Sequence, residues 1–224
     1  MAFGRSRNSE PPVEVVDWRA VERFKISTVE RDIGPGRKRP VVGQNAVRVP
    51  RIEGQERINA PCAFFGSRTA RVGTADHVVY EDEGTQRVLC SIGEPTSVGD
   101  ERRYRVYDGQ GQDIGGIRRL PPSHQLHRHT WRIEQPGHPE ITGLNKWSTL
   151  NPLGVAAHAA GKVLGGLAMA VFMSEPDGGD QRDRTLLWSA GREKVMESDD
   201  YTFTVMASWL DRRLAFAVAM LGDR

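Results

Sequence analysis

The fold is decided by the C-terminal stretch Trp209–Leu221, which reads WLDRRLAFAVAML and contains no polar residue from Leu214 onward. We predict a helix over this stretch. A helix that is apolar on every face has to be buried in protein or in lipid. Thirteen residues at about 1.5 Å each reach roughly 20 Å, short of the ~30 Å hydrocarbon core of a bilayer. The segment therefore favours burial in protein, and the interior of a β-barrel is a suitable container.

Upstream of this helix, the chain from about Phe24 onward reads as short β-runs separated by turn residues. The 24 glycines and 13 prolines also favour many short strands over long helices. Two of the strand–turn–strand units superpose without gaps at an offset of 27 residues, so that Tyr104 meets Trp131. Such repetition predicts a meander of hairpins that must close or stack to protect its edges. The four predicted hairpins join 77–80 to 87–93, 104–107 to 113–117, 131–134 to 140–143 and 185–188 to 194–196.

The length of 224 residues suits one large all-β domain, which we place at 24–224 behind a partly disordered N-terminal tail at 1–23. The net charge of +2 implies no acidic partner for the chain as a whole, and we expect no nucleic acid. Cys62 and Cys90 lie in apolar, strand-like runs, which favours buried free thiols and leaves a disulfide as the alternative. A chain with two cysteines and no signal peptide is expected in the cytoplasm.

The segment Pro152–Met173 is an Ala/Gly-rich apolar insertion in the predicted barrel domain. Its length suits a membrane span. His158 and Lys162 oppose that interpretation, because a charged side chain near the bilayer centre costs about 2.5–3.5 kcal/mol. The alternative is a helix in a long loop that runs into an edge strand at Leu167–Met173. The sequence leaves open whether the insertion enters a membrane or packs on the barrel.

The repeated hairpins, of the form aromatic-x-(Val/Ile)-x-x-turn-Gly-x-x-Ile-Gly, are followed by Ser198–Val205 (SDDYTFTV) and then by the apolar helix. This order of features resembles the tubby C-terminal-like superfamily, in its phospholipid scramblase and LURP-one-related branches, over roughly residues 24–224. The resemblance implies a closed antiparallel barrel of about twelve strands around a buried C-terminal helix. The expected core side chains of that helix are Leu214, Phe216, Val218, Met220 and Leu221.

The resemblance also implies an association with lipid. Tubby-like domains bind phosphoinositide headgroups through basic residues, scramblase-like proteins are described as calcium-linked lipid translocators, and LURP-one-related proteins have no firm biochemical activity. The chain lacks the Cys-rich acylation cluster and the long Pro-rich tail of the scramblases. Asp199 and Asp200 lie where the scramblase acidic segment falls, but adjacent carboxylates on a strand point to opposite faces and make a poor calcium cage. We interpret them as turn residues.

Four arginines are the candidate headgroup contacts. They form two adjacent pairs that flank the second predicted hairpin, and they are Arg102, Arg103, Arg118 and Arg119. Guanidinium groups suit bidentate recognition of phosphate. No tubby motif maps onto these positions residue by residue, and a solvated barrel rim is the alternative interpretation.

Other chemistry has weaker support in the sequence. The cluster His124, His127 and His129 suits Zn²⁺ by residue type, but no Cys, Asp or Glu lies close by to complete a ligand set. We therefore expect no metal and no cofactor, with a metal site at these histidines as the alternative. The glycines from Gly109 to Gly115 lack the spacing of a dinucleotide loop, and no serine lies in a nucleophile elbow. The sequence predicts a protein that is not an enzyme.

We expect a non-enzymatic, intracellular, lipid-associated barrel protein, cytoplasmic or peripheral at a membrane. Its ligand would be an anionic phospholipid or a phosphoinositide, or its activity would be scramblase-like. The alternative is a soluble protein-interaction or scaffold module whose barrel rim or insertion docks a protein partner. Binding to liposomes that is lost at high salt would favour the lipid interpretation.

Overall fold

The computed structural model describes residues 12–34, 37–66, 77–121, 130–145, 185–199 and 201–222. Several of the sequence predictions concern other parts of the chain and lie outside the described residues. These are the first part of the N-terminal tail, the cluster His124, His127 and His129, the insertion Pro152–Met173, and Asp200.

The described residues form thirteen β-strands, one 3₁₀ turn at Trp18–Ala20 and one α-helix, α1, at Arg212–Leu221. The strands are β1 (Arg23–Arg31), β2 (Val41–Glu53), β3 (Glu56–Phe65), β4 (His77–Tyr80), β5 (Val88–Ile92), β6 (Thr96–Val98), β7 (Glu101–Asp108), β8 (Asp113–Leu120), β9 (Thr130–Glu134), β10 (Ile141–Asn145), β11 (Leu186–Ala190), β12 (Glu193–Asp199) and β13 (Thr202–Val205).

Antiparallel pairing joins the strands into one sheet in the order β5-β4-β3-β2-β1-β13-β12-β11-β10-β9-β8-β7-β6. A further pairing of β5 with β7 closes this sheet on itself, so that twelve strands form a closed antiparallel barrel. β6 lies outside the ring and pairs with β7. The four predicted hairpins are β4–β5, β7–β8, β9–β10 and β11–β12. The prediction of a closed antiparallel barrel is therefore confirmed.

Large side chains pack closely in the core. Trp188 is 1% exposed, and its indole Nε1 donates a hydrogen bond to Ser198 Oγ at 3.1 Å. Gly143 lies opposite Trp188 across β10 and β11, where a Cβ would come within 2.7 Å of the indole. Phe24 stacks on Phe203 with 5.1 Å between ring centroids. Close packing of this kind holds the strands in one register.

The helix α1 begins at Arg212, three residues later than the predicted start at Trp209. The reason is Asp211, which has an extended backbone and caps the helix. Its carboxylate accepts a hydrogen bond from the backbone N–H of Arg213 at 2.9 Å. The residues before Asp211 therefore form a turn rather than the first turn of the helix.

The apolar middle of α1 is buried, and the helix contacts strands on two sides of the ring. Residues 214–218 are at most 3% exposed, whereas Met220 and Leu221, also expected in the core, are half-buried. The helix contacts β1, β5 and β8. The ring of Phe216 meets that of Phe24 edge-on, with 4.9 Å between centroids. The helix and the strands thus share one hydrophobic core.

The strands from β7 to β12 define two ends of the barrel. The short turns β7–β8, β9–β10 and β11–β12 lie at one end, which we call the turn end. The chain enters α1 there, because the amide of Gln135 donates to the carbonyl of Trp209 at 2.8 Å and Arg213 lies 4.0 Å from Asp108. β8 and β10 end at the opposite end, which we call the pocket end, and β9 and β11 begin there.

The described part of the N-terminal tail is attached to the barrel. The backbone N–H of Val16 donates to the carbonyl of Pro61 at 2.9 Å, and Val21 is buried. Arg212 Nε donates to the carbonyl of Val21 at 2.6 Å. This segment therefore connects β3 to the start of α1.

Candidate functional site

The register between β7 and β8 brings the four candidate arginines together as two cross-strand pairs. Arg102 lies opposite Arg119, and Arg103 lies opposite Arg118. Successive side chains on a strand point to opposite faces of the sheet. The two pairs therefore lie on different faces of the barrel wall, and they do not form one four-arginine cluster.

The outer pair, Arg103 and Arg118, is neutralised by carboxylates. Arg118 lies 2.8 Å from Glu134 and 3.6 Å from Glu101, and it also forms an ion pair with Glu140. Arg103 Nε lies 2.8 Å from Glu101. Carboxylates on the outer surface of the barrel thus balance the positive charges of this pair, which makes the pair a poor site for an anionic ligand.

The inner pair, Arg102 and Arg119, lies on the face that continues into the hydrophobic core. Strand alternation places Arg102 on the side of Val106, which is fully buried, and Arg119 on the side of Ile117, which is also fully buried. Arg119 also lies opposite Trp131 on β9. The inner pair therefore lies at the pocket end of the barrel, where the inner face meets solvent.

An open pocket of about 420 Å³ surrounds the inner pair. Sites for small ligands run from about 300 to 1,000 Å³, so this volume suits a small headgroup. The residues that line the pocket are Ser97, Gly99, Asp100, Arg102, Arg119 and Pro121. We call it the Arg102–Arg119 pocket.

The two inner guanidinium groups are held in different ways. Arg119 is half-buried, and its guanidinium carbon lies 5.4 Å from the ring centroid of Trp131, which favours a cation–π contact. Arg102 is exposed and forms no ion pair with any residue that the structure describes. Like charges at directly opposite strand positions destabilise a sheet. Arg102 therefore lies exposed in the pocket opposite a like charge.

The hairpin between β6 and β7 forms one wall of the pocket. Val98 pairs with Glu101, so Gly99 and Asp100 make a two-residue loop. Gly99 has a φ of 60°, which a tight hairpin loop of this kind requires at its first position. Ser97 lies opposite Arg102 on the same face. The loop thus places Asp100 and Ser97 in the lining of the same pocket as the two arginines.

Arg48 is a buried cation on β2, but its donors are occupied within the barrel wall. It is fully buried, and it donates to the backbone carbonyls of Ser27 at 2.8 Å and Gln44 at 2.7 Å. It also donates to the carbonyl of Asn59 and to the Glu30 carboxylate. Burial lowers the pKa of Arg48, and Glu30 opposes that shift. We assign it a structural role.

Cys62 and Cys90 are free and buried, as expected from the sequence. Burial raises the pKa of Cys62 to about 12 and that of Cys90 to about 12. A thiol at such a pKa is almost fully protonated near neutral pH and is a weak nucleophile. Neither cysteine takes part in the candidate site.

The remaining sequence candidates do not converge on the pocket. Asp199 ends β12, and it accepts a hydrogen bond from Thr185 Oγ1 at 2.9 Å, while Asp200 lies outside the described residues. In the part of the chain that the structure describes, no three His, Cys, Asp or Glu residues are grouped in a way that could hold a metal ion. No helix within those same residues has the length and apolar character needed to cross a bilayer.

Two pocket residues, Ser97 and Asp100, were not among the sequence candidates. Adjacent residues on a strand point to opposite faces of the sheet. This rule could have assigned the two arginines of each adjacent pair in the sequence to different faces. Ser97 and Asp100 become visible only once β6 is known to fold back on β7.

Comparison with known proteins gives no match to any family model, curated protein or solved structure. The resemblance to the tubby C-terminal-like superfamily thus stays a prediction from the order of features in the sequence.

Proposed function

We propose that this protein is a non-enzymatic, lipid-associated β-barrel protein that binds an anionic phospholipid headgroup, a phosphoinositide among the candidates, in the Arg102–Arg119 pocket. The observation that carries the proposal is the placement of two guanidinium groups at directly opposite positions on β7 and β8, inside one open pocket.

Phosphate is the ligand chemistry that suits this placement best. Each guanidinium offers a planar set of donors that can hold two oxygens of one phosphate, and two such groups can hold one phosphate from two sides. The strand backbone fixes the spacing of Arg102 and Arg119, and the cation–π contact with Trp131 favours one position of the Arg119 side chain. Little side-chain freedom is then lost on binding, which favours affinity.

The outer pair is excluded from the proposed site. Arg118 is 19% exposed and has three carboxylates around it, so a phosphate would have to displace existing ion pairs. We therefore narrow the headgroup contacts from the four predicted arginines to Arg102 and Arg119.

We propose further that α1 fills the barrel and acts as its core. Support comes from its contacts with β1 on one side of the ring and with β5 and β8, the two strands that flank β7, on the other side. Support also comes from the burial of the apolar residues 214–218. A filled barrel would hold β7 and β8 rigid under the pocket, as a binding site requires.

Co-sedimentation with liposomes tests the lipid proposal. We expect the purified protein to pellet with vesicles of phosphatidylcholine that contain phosphatidylserine or a phosphoinositide, and to stay in solution with phosphatidylcholine alone. High salt should reverse the pelleting, because exposed charges are screened.

Arg102→Ala and Arg103→Ala are the matched variants, since they change adjacent arginines on opposite faces. Arg102→Ala should abolish pelleting and Arg103→Ala should retain it. Pelleting with every vesicle at any salt would contradict the proposal and indicate an apolar anchor. No pelleting at all would also contradict it, and would leave the protein-interaction module as the next function to test.

A further inference from the structure

Ser97 begins a row of polar residues that crosses three strands on the pocket face. It is directly opposite Arg102 between β6 and β7, and Arg102 is directly opposite Arg119 between β7 and β8. All three residues line the Arg102–Arg119 pocket. Residues that are directly opposite in an antiparallel pair have Cβ atoms about 4.5–5.5 Å apart. A group attached to the Ser97 hydroxyl therefore lies within reach of the Arg102 guanidinium.

Ser97 is accessible to a modifying enzyme. All three residues of β6 are exposed, and the Ser97 hydroxyl forms no hydrogen bond with any residue in the described ranges. β6 lies outside the ring and, among the described strands, pairs only with β7. A three-residue strand at the edge of a sheet opens with little loss of free energy, so an enzyme can bind this segment.

The residues that follow Ser97 carry negative charge. Asp100 and Glu101 are the third and fourth residues after it, in the hairpin loop and at the start of β7. Protein kinases select substrates partly by the pattern of charges beside the hydroxyl that they modify. The surroundings of Ser97 therefore favour a serine kinase that prefers acidic residues on the C-terminal side.

We propose that Ser97 is a phosphorylation site, and that its phosphate binds Arg102 and closes the Arg102–Arg119 pocket to anionic ligands. This inference rests on the proposed function and adds its regulation. Ser97 Oγ attacks the γ-phosphorus of a nucleoside triphosphate on a protein kinase, and the bond from that phosphorus to the β,γ-bridging oxygen breaks. The nucleoside diphosphate leaves, and the hydroxyl proton goes to a base of the kinase.

Arg102 is the residue that holds the phosphate. It is exposed and forms no ion pair with any described residue, so no existing ion pair has to break. A phosphoserine side chain carries close to two negative charges and three acceptor oxygens, which a guanidinium group binds in bidentate fashion. The tether gives the phosphate an effective concentration of about 1 mM or more at Arg102. A free anionic ligand has to compete with it.

The neighbouring hydroxyl of Thr96 provides a matched control. Thr96 lies opposite Arg103, on the other face of the two strands. Arg103 Nε lies 2.8 Å from Glu101 and is already paired. Thr96 is not part of the pocket lining. A phosphate there adds the same charge to the same strand without entering the pocket.

Phosphorus NMR of the full chain, with phosphoserine incorporated at position 97 during translation, tests the contact with Arg102. A nearby guanidinium favours the dianionic phosphate, so Arg102→Ala should move the titration of this phosphate to higher pH. Arg103→Ala, which changes the opposite face, should leave the titration where it is. The same titration in all three proteins would overturn the contact.

Co-sedimentation with vesicles of phosphatidylcholine and phosphatidylserine measures the consequence for binding. Phosphoserine at position 97 should lower the affinity at least about tenfold, and phosphoserine at position 96 should change it less than about twofold. Equal losses at both positions would indicate general charge repulsion and overturn the inference. Unchanged binding with phosphoserine at position 97 would also overturn it and leave the proposed function in place.

The modification itself is tested by mass spectrometry of the protein isolated from its native cells. The tryptic peptide Val88–Arg102 contains both Thr96 and Ser97. We expect phosphate on Ser97, whereas an unmodified peptide or phosphate on Thr96 alone would overturn the site. If the unmodified protein bound no vesicle, the proposed function would fail, and the phosphorus titration would still support or overturn the contact between the phosphate and Arg102.

Discussion

The outer pair and the inner pair are made of the same residue type on the same two strands, yet their surroundings differ. Arg118 of the outer pair lies among Glu101, Glu134 and Glu140. Arg102 of the inner pair faces an open pocket together with Arg119. Neighbouring basic residues in a strand therefore have to be divided by the face of the sheet to which they point before a role is assigned to them. One face of the β7–β8 ladder stabilises the barrel, and we propose that the other binds the ligand.

The two faces keep their different surroundings only if the barrel is folded. The largest effect on stability should therefore come from a substitution in the hydrophobic core. Phe216→Asp places a charge in contact with Phe24, at a position that is fully buried. We expect it to abolish folding, because an unpaired buried charge costs more than the ~5–15 kcal/mol that a typical domain has in total.

Phe216→Leu is the control for that variant, and it should still fold with a lower melting temperature. Circular dichroism during heating is the measurement. If Phe216→Asp melted cooperatively at a temperature close to that of the wild type, the packing of α1 would not be essential to the folded barrel.

The buried thiols test whether the hydrophobic core of the barrel is dry. Because burial raises the pKa of Cys62 and of Cys90 to about 12, the folded state keeps both thiols protonated where the unfolded state ionises them. Their contribution to stability is fully present below pH ~9 and is lost as the pH rises towards 12, by several kcal/mol in total at about 1.4 kcal/mol per pKa unit.

Urea unfolding across this alkaline range measures that contribution. The Cys62→Ala, Cys90→Ala double variant should lose less stability than the wild type between pH 9 and pH 11. Parallel losses in the two proteins would mean that water reaches the thiols in the folded state.

The outer pair should matter for stability. Arg118→Ala leaves carboxylates of Glu101, Glu134 and Glu140 without their shared partner, and we expect a loss of about 1–3 kcal/mol in the free energy of unfolding. Arg103 is 47% exposed, so Arg103→Ala should cost less than about 1 kcal/mol. Urea denaturation at neutral pH measures both, and equal losses would argue against the carboxylate network.

The inner pair should matter little for stability and strongly for binding. Arg102→Ala removes an exposed side chain that has a like charge opposite, so the free energy of unfolding should change by less than about 0.5 kcal/mol. Affinity for an anionic headgroup should fall at least about tenfold. A large loss of stability with unchanged binding would reverse the assignment of the two faces.

Much of the fold could be predicted from the sequence, because its signals are local. Alternation and turn residues located the hairpins, and the apolar run from Leu214 located the helix. The predicted helix starts three residues early, because Asp211 is the N-cap and the residues before it form a turn. Met220 and Leu221 are half-buried because they lie in the last turn of α1, beyond the fully buried segment.

The candidate site was harder to predict, because it depends on non-local pairing. The sequence supplied Arg102 and Arg119 but grouped them with two arginines of the opposite face. Asp100 and Ser97 enter the pocket only through the pairing of β6 with β7, and β6 is a three-residue strand without a clear sequence pattern. Short strands of this kind carry too few residues for periodicity to be read.

The side-chain Nε–Hε resonances of the arginines test the division of the two faces most directly. We would follow them by NMR while glycerol 3-phosphate is added to the ¹⁵N-labelled wild-type protein. We predict saturable shifts for Arg102 and Arg119, and no shift for Arg103 and Arg118 beyond that caused by sodium chloride. Saturable shifts of the outer pair, or equal and unsaturable shifts of all four, would contradict an anion site in the Arg102–Arg119 pocket.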